Sequence, residues 1–384
     1  MKRRRVLVVA MLDSIHTARW LSQFKDEEID FLIVASKKFK HAHPNLLNLS
    51  KIQSKATFQL ANFKLTPKYA GYLDFLFYIL IPRFIPINLR LRRLSSILKQ
   101  QEFQFVHALE IQGAGYLVDE AIRRSGVGVK FILTNWGSDI YYFEKYPEHR
   151  KSIESALQTA THYSAECNRD YALARELGFV GIEMPCIPNA GGFDLDLTQS
   201  QTVTSTRKNI VAKTYGGDFG RGDLVIESLH QILDQFTQTT AFLYSVTDDL
   251  AEKAEVLKRA FPSRVEYSGR RTPLSRQQMR ELFLKSRVYI GASRTDGVST
   301  SFLEAVVSGC YPIQTNTSCA GEWVNIGAVA TLVGMDIAEI TNGVSAALTA
   351  DEMVDQAQVA NLKTAQTYLS SEAIQPTALS FYHA

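Results

Sequence analysis

The chain has 384 residues, 46% hydrophobic and 21% charged, with 42 Lys/Arg against 39 Asp/Glu. That length exceeds one ordinary core and predicts two domains. The composition excludes a disordered, collagen-like or coiled-coil chain.

The charge is uneven along the chain. Residues 1–195 hold 26 basic and 19 acidic residues, and residues 196–384 hold 16 and 20. The basic excess sits in residues 33–130, with 15 against 5. Such a patch suits an anionic membrane face or nucleic acid. No nucleic-acid motif accompanies it, so no nucleic-acid partner is expected.

The opening MKRRRVLVVAML resembles a signal peptide, but its apolar run stops at Asp13 and Ser14 without a small-residue cleavage site. It reads instead as a first strand, Val6–Met11. A turn follows in which Ser14 caps a helix and His16 falls in its first turn. A second strand spans Phe31–Ala35. The apolar stretch Tyr72–Ile81 contains Asp74 and meets Pro82, too short to span a bilayer. Pro82–Arg93 mixes basic and large apolar residues, and fits either an interfacial segment on anionic lipid or a helix covering the core.

Strands Phe105–Leu109 and Phe131–Thr134 come next. His107 is read as ending the strand Phe103–His107, with Gly113 and Gly115 allowing close backbone approach. Asn135-Trp136-Gly137-Ser138-Asp139 follows the second. A helical pattern covers Ser152–Gln158. Four cysteines (Cys167, Cys186, Cys310, Cys319) form no CxxC or Cys/His cluster. Neither a disulfide framework nor a zinc site is expected, and free thiols point to a reducing compartment.

After Pro188-Asn189-Ala190-Gly191-Gly192, the polar stretch Leu197–Thr206 reads as the linker. Strand–helix alternation then restarts with Asn209–Lys213, Thr240–Tyr244, Val288–Gly291 and Tyr311–Gln314, with a helix over Gln278–Lys285. Both halves read as parallel sheets covered by helices. Ligands of such sheets bind at the carboxyl ends of the strands.

The most informative segment runs from Gly291 to Ile313. Gly297, Val298, Ser299, Thr300 and Ser301 lie between Asp296 and Glu304, with small residues predominating at a helix N-terminus. Free amides and the helix dipole there suit a diphosphate. Glu304, one turn in, suits hydroxyls such as a ribose diol. Ser301-Phe-Leu-Glu304 also reads as a capping box.

Asp296-x7-Glu304, followed by Ala305 and by Gly309-x-x-Pro312-Ile313, resembles the signature of retaining glycosyltransferases of family 4. In that family the second acid contacts the nucleotide ribose and the first contacts the transferred sugar. Here these are Glu304 and Asp296, the latter one methylene shorter than the usual Glu. Lys213-Thr-Tyr-Gly-Gly-Asp-Phe-Gly-Arg221-Gly222 resembles the basic pair that grips the donor diphosphate. Arg270, after a strand ending at Gly269, is a candidate for base or phosphate contact. Ser14 and His16 stand where the family uses a Gly-rich loop, and Asn135 and Asp139 where it faces the acceptor. His107 matches one position of the family's His-x-His pattern, and Leu109 occupies the other.

The resemblance implies an α/β chain with the GT-B fold, two Rossmann-like doubly wound domains facing across a cleft. Residues 1–195 would bind the acceptor, 207–365 the nucleotide sugar, and 366–384 would pack back on the first domain. It implies a retaining, metal-independent transfer from a nucleotide sugar, UDP being the expected carrier, to a hydroxyl of a glycan or lipid-linked sugar. The setting would be cell-surface polysaccharide biosynthesis in the cytoplasm, peripheral on the inner membrane face. No cofactor beyond the donor substrate and no metal are expected. A catalytically impaired nucleotide-sugar-binding protein and a GT-B epimerase or hydrolase are the alternatives.

Overall fold

A computed structural model of the chain describes residues 3–39, 41–61, 89–189, 191–195 and 202–383. The chain divides into two compact units. One comprises Met1–Ala165, Asp170–Ala190 and Leu379–Ala384, the other Glu166–Arg169 and Gly191–Ala378.

The first unit holds seven strands: β1 (Arg4–Ala10), β2 (Ile29–Ala35), β3 (Thr57–Leu60), β4 (Phe105–Leu109), β5 (Lys130–Thr134), β6 (His162–Ser164) and β7 (Ile182–Glu183). All pair in parallel, in the order β3-β2-β1-β4-β5-β6-β7. Val6 to Val9 and Val106 are fully buried, as expected of strands covered on both faces.

Helix Leu89–Gln100 buries Leu91, Leu94 and Leu98. That spacing puts the leucines on one face against the sheet, and Arg92 and Arg93 face solvent. Of Pro82–Arg93, residues 82–88 lie outside the described residues, and 89–93 belong to this core-covering helix. Tyr72–Ile81 also lies outside them. Among the described residues, no helix is long and apolar enough to cross a membrane.

The second unit holds β8 (Asn209–Lys213), β9 (Thr240–Val246), β10 (Val265–Gly269), β11 (Ser286–Gly291), β12 (Tyr311–Thr315) and β13 (Thr331–Val333). They pair in parallel in the order β10-β9-β8-β11-β12-β13. Helix Gly222–Gln235 buries Leu224, Val225, Leu229, Ile232 and Leu233 against this sheet.

Strand order reverses between β1 and β4 in the first sheet and between β8 and β11 in the second. At such points the loops leave in opposite directions and open a crevice for ligands.

The thiol expectation is corrected here. Cys167 and Cys319 form a disulfide, their Cα atoms 6.2 Å apart and 152 residues apart in sequence. Cys186 and Cys310 take no part in a disulfide. Local spacing carries no trace of a pair so distant, and the reducing-compartment argument loses its premise.

Candidate functional site

The crevice of the second sheet collects most of the residues singled out above. Lys213 is the last residue of β8, with Nζ 4.8 Å from the centre of the Tyr215 ring. Burial alone would lower its ammonium, but Tyr215, Asp296, Tyr289 and Glu304 outweigh that and hold it above its ordinary value. Lys213, Asp296 and Glu304 therefore share one electrostatic environment, and the lysine stays cationic.

The turn after β8 is knitted to the loop after β11. The Arg221 N–H donates to Ala292 O at 3.0 Å, and the Arg294 N–H donates to Phe219 O at 2.7 Å. Gly220 bridges to Ser293 between them. A Cβ on Gly220 would lie 2.0 Å from Tyr215 O, so only glycine permits this approach. The Arg221 guanidinium forks onto Asp223, Nε to Oδ1 at 2.9 Å and Nη2 to Oδ2 at 2.8 Å. This pairing holds the Asp223 carboxyl below its usual range. Arg270 is exposed after β10, and its charge reaches Tyr215.

Gly297, Val298 and Ser299 lead into helix Thr300–Val307. Val298 is 4% exposed and joins the core with Tyr289 and Phe302, which pins the loop from below. Ser299 is the N-cap, yet its side chain makes no capping bond, and the first turn carries no acidic residue. Ser301 lies inside the helix, so the capping box read from Ser301 and Glu304 does not form. The helix entry keeps unneutralised amides, as an anion site requires.

Three hydroxyls belong to this region, two of which, Thr295 and Ser318, motif reading did not single out. Thr295 Oγ1, Ser299 Oγ and Ser318 Oγ are buried and find no hydrogen-bond partner among the described residues. Buried polar groups are nearly always satisfied, and an unsatisfied hydroxyl is available to a ligand or an ordered water. Thr295 and Ser299 sit in the motif already quoted. Ser318, after β12, had no sequence signal. Chemically, the cluster combines a fixed cation, open helix amides, idle hydroxyls and two carboxylates. It can bind an anionic group with hydroxyls attached.

The first unit distributes its candidates differently. Ser14 Oγ accepts from the His16 N–H at 3.2 Å and caps helix Ile15–Ser22. The His16 ring meets Trp136 edge to face at 5.8 Å. Trp136 Nε1 is buried without a partner among the described residues, so this corner at the ends of β1 and β5 holds an idle donor.

His107 is a correction. Strand β4 continues two residues past it, and the ring is fully buried. Nδ1 lies 2.6 Å from Tyr382 Oη, and Nε2 lies 2.6 Å from Thr134 Oγ1. Trp20 Nε1 donates to the same Tyr382 oxygen at 3.1 Å. The imidazole thus has a hydroxyl partner at each nitrogen, Tyr382 at Nδ1 and Thr134 at Nε2. Burial pushes its pKa down to about 3. Both nitrogens are hydrogen-bonded inside the unit.

Asn135 is likewise internal. Its Nδ2 donates to Asp170 at 2.8 Å, and its Oδ1 accepts from the Ile140 N–H at 3.0 Å. Asp139 Oδ2 accepts from the Ile111 and Trp136 amides at 2.8 and 3.0 Å. Burial first, then the Glu110 charge, raises its pKa well above the usual carboxylate range. Glu110 stands at φ 96° and accepts from the Gly113 and Ala114 amides, each at 2.7 Å. A Cβ on Gly113 would lie 2.5 Å from Glu110 Oε1, and one on Gly115 would lie 2.7 Å from Leu133. These glycines make room for protein groups, where the sequence suggested room for a ligand.

Residues 82–164 match a family model described as "Glycosyl transferase 4-like". A comparison with curated proteins finds no match. Among solved structures, HepE of Anabaena in complex with UDP and glucose is similar at 12% identity, covering 99% of this chain and 100% of that one, with a TM-score of 0.70. Sucrose-phosphate synthase of Thermosynechococcus elongatus is similar at 13% identity, over 99% of this chain and 98% of that one, with a TM-score of 0.67. The lipopolysaccharide outer core galactosyltransferase WaaB is similar at 10% identity, over 98% and 99%, with a TM-score of 0.64. These structures have the GT-B fold, as this chain does.

Proposed function

We propose that this chain, built on the GT-B fold, is a glycosyltransferase that takes its sugar from a nucleotide-diphosphate sugar. One observation carries the reading. Lys213, the open amides of helix Thr300–Val307, the idle hydroxyls of Thr295, Ser299 and Ser318, and the carboxylates of Asp296 and Glu304 gather at one crevice.

Cleaving the sugar C1–O bond leaves negative charge on the departing diphosphate. The amides from Val298 to Ser301, with Lys213 and Arg221, neutralise it, each preorganised donor being worth about 3 kcal/mol. Arg221 reaches the diphosphate by exchanging its Asp223 partner. Glu304 accepts the ribose hydroxyls, and Asp296 accepts hydroxyls of the transferred sugar. Arg270 lies on the base side.

The expected carrier is UDP, which the HepE structure contains. The transfer is read as retaining and metal-independent, the acceptor oxygen attacking on the leaving-group face and passing its proton to the diphosphate. The first unit takes the acceptor, a glycan or lipid-linked sugar of a cell-surface polysaccharide. Ser14 and His16, with Trp136 beside them, are its candidate contacts. The basic excess of residues 33–130 supports work at an anionic membrane face.

Thermal shift against nucleotide diphosphates and sugars, without added metal, tests this. Ligand at 100 times its dissociation constant adds about 2.7 kcal/mol. Stabilisation by uridine nucleotides that disappears in Glu304→Ala and Arg221→Ala supports the reading, and silence from every nucleotide sinks it. The internal use of both His107 nitrogens favours a second reading, a nucleotide-sugar-binding protein without turnover. Sugar transfer persisting in EDTA excludes that second reading.

A further inference from the structure

The Cys167–Cys319 disulfide stands beside the loop assigned above to the donor diphosphate, and each half of it braces that loop. Cys319 N–H donates to Gly297 O at 2.8 Å. Arg169, two residues after Cys167, donates from Nη2 to Asp296 O at 3.0 Å. Glu322, in the helix Ala320–Asn325 that follows Cys319, closes the ring. Its carboxylate accepts from the Asn168 N–H at 2.8 Å, from Asn168 Nδ2 at 2.9 Å and from the Arg169 N–H at 3.1 Å. Two successive carbonyls of the loop are thus held by two short segments that one covalent bond ties together.

The sulfurs of Cys167 and Cys319 and the Glu322 carboxylate lie within 4.8 Å of one another, which is also metal-ligand proximity. The carboxylate already accepts three N–H groups, and the sulfurs are bonded to each other. The cluster reads as a redox device.

Residues 166–169 belong with the second unit, while residues 165 and 170 on either side belong to the first. The disulfide therefore fastens a short strap, residues 166–169, to the rest of the second unit.

We propose that reversible reduction of Cys167–Cys319 controls the donor loop Asp296–Ser299, and with it nucleotide-sugar affinity. The proposal rests on the donor reading of that loop. The reductant is a dithiol. Cys319 is 5% exposed and Cys167 fully buried, so a thiolate of the reductant attacks Cys319 Sγ and Cys167 leaves as the thiolate. The second thiol of the reductant then closes its own disulfide and releases Cys319. Two electrons and two protons pass to the protein sulfurs, and the dithiol becomes a cyclic disulfide. Without the bond, the strap keeps its hydrogen bonds through Glu322 and Arg169 but loses its covalent tie, and the loop loses its fixed geometry.

The full chain is prepared with oxidised glutathione and, separately, with dithiothreitol. Thiol titration in denaturant is expected to give two thiols, Cys186 and Cys310, in the first and four in the second. Calorimetry with UDP is expected to give at least about fivefold weaker binding after reduction, the lower end of ordinary coupling between sites. Cys319→Ser is expected to bind like the reduced protein and ignore dithiothreitol, whereas Cys186→Ser keeps the response. Four thiols after oxidation, or equal UDP affinity in the two states, overturns the proposal. If neither state binds any nucleotide, the donor reading fails by itself. Hydrogen exchange at residues 295–301 of the wild-type chain then decides the strap: faster exchange on reduction supports it, and unchanged exchange refutes it.

Discussion

Tyr382 Oη and His107 Nδ1 are hydrogen-bonded at 2.6 Å across 275 residues of chain. The same oxygen accepts the Trp20 indole N–H, and the Tyr382 and Phe381 side chains are fully buried in the first unit. Tyr382→Phe keeps the ring but strands a buried indole donor and a buried imidazole nitrogen. A loss of about 1–3 kcal/mol is expected. Urea unfolding followed by exchange of the β4 amides measures it in the first unit, and an unchanged midpoint contradicts the network.

His107 makes a pH prediction. Its folded pKa is depressed by burial to about 3, below the ordinary imidazole value of 6.5. The unfolded chain then binds the extra proton first. The stabilisation is whole above about pH 6.5 and is lost as pH falls towards 3, at about 1.4 kcal/mol per pH unit for one group. Stability curves of wild type and His107→Gln should converge as pH drops from 7 to 5. Parallel curves would mean that the ring is not buried neutral.

Thr295→Val separates folding from binding. The buried Thr295 hydroxyl has no partner among the described residues, so replacing it with a methyl removes an unsatisfied group. The free protein should gain up to about 1 kcal/mol, while affinity for UDP or a UDP-sugar falls. Denaturation and calorimetry on the same preparation read both. Lower stability with unchanged affinity would assign the hydroxyl a structural duty.

Gly220→Ala tests the knitted loops. The new Cβ would meet Tyr215 O at 2.0 Å, together with the Tyr215 ring. The turn must move away from Ser293, at about 1–3 kcal/mol of overpacking cost. Arg221 moves with it, so donor affinity should drop alongside stability. Retention of both would mean that the turn relaxes without disturbing the β11 loop.

Much of the frame was legible from residues alone. β1, β2, β4 and β5, and β8, β9, β11 and β12, are runs of β-branched and aromatic residues long enough to be recognised singly. β3, β7 and β13 are two to four residues long, and a period cannot be read in so few. The donor candidates were legible because a strand–loop–helix turn keeps them local: Asp296 to Glu304 is one continuous segment. The acceptor side was not, because its candidates depend on which way a strand-end side chain turns. His107 and Asn135 turn inward to satisfy neighbours that the sequence does not announce.

Composition and strand periodicity by themselves determined two parallel α/β units, and the small residues at one helix entry marked a candidate anion loop, since these depend on near neighbours in the chain. Tertiary structure alone decided that Tyr382 closes on His107, that Cys167 meets Cys319, and that Thr295, Ser299 and Ser318 are left with idle hydroxyls. Each of these depends on side chains brought together from distant segments, or on the partners such packing withholds, and no local pattern encodes that.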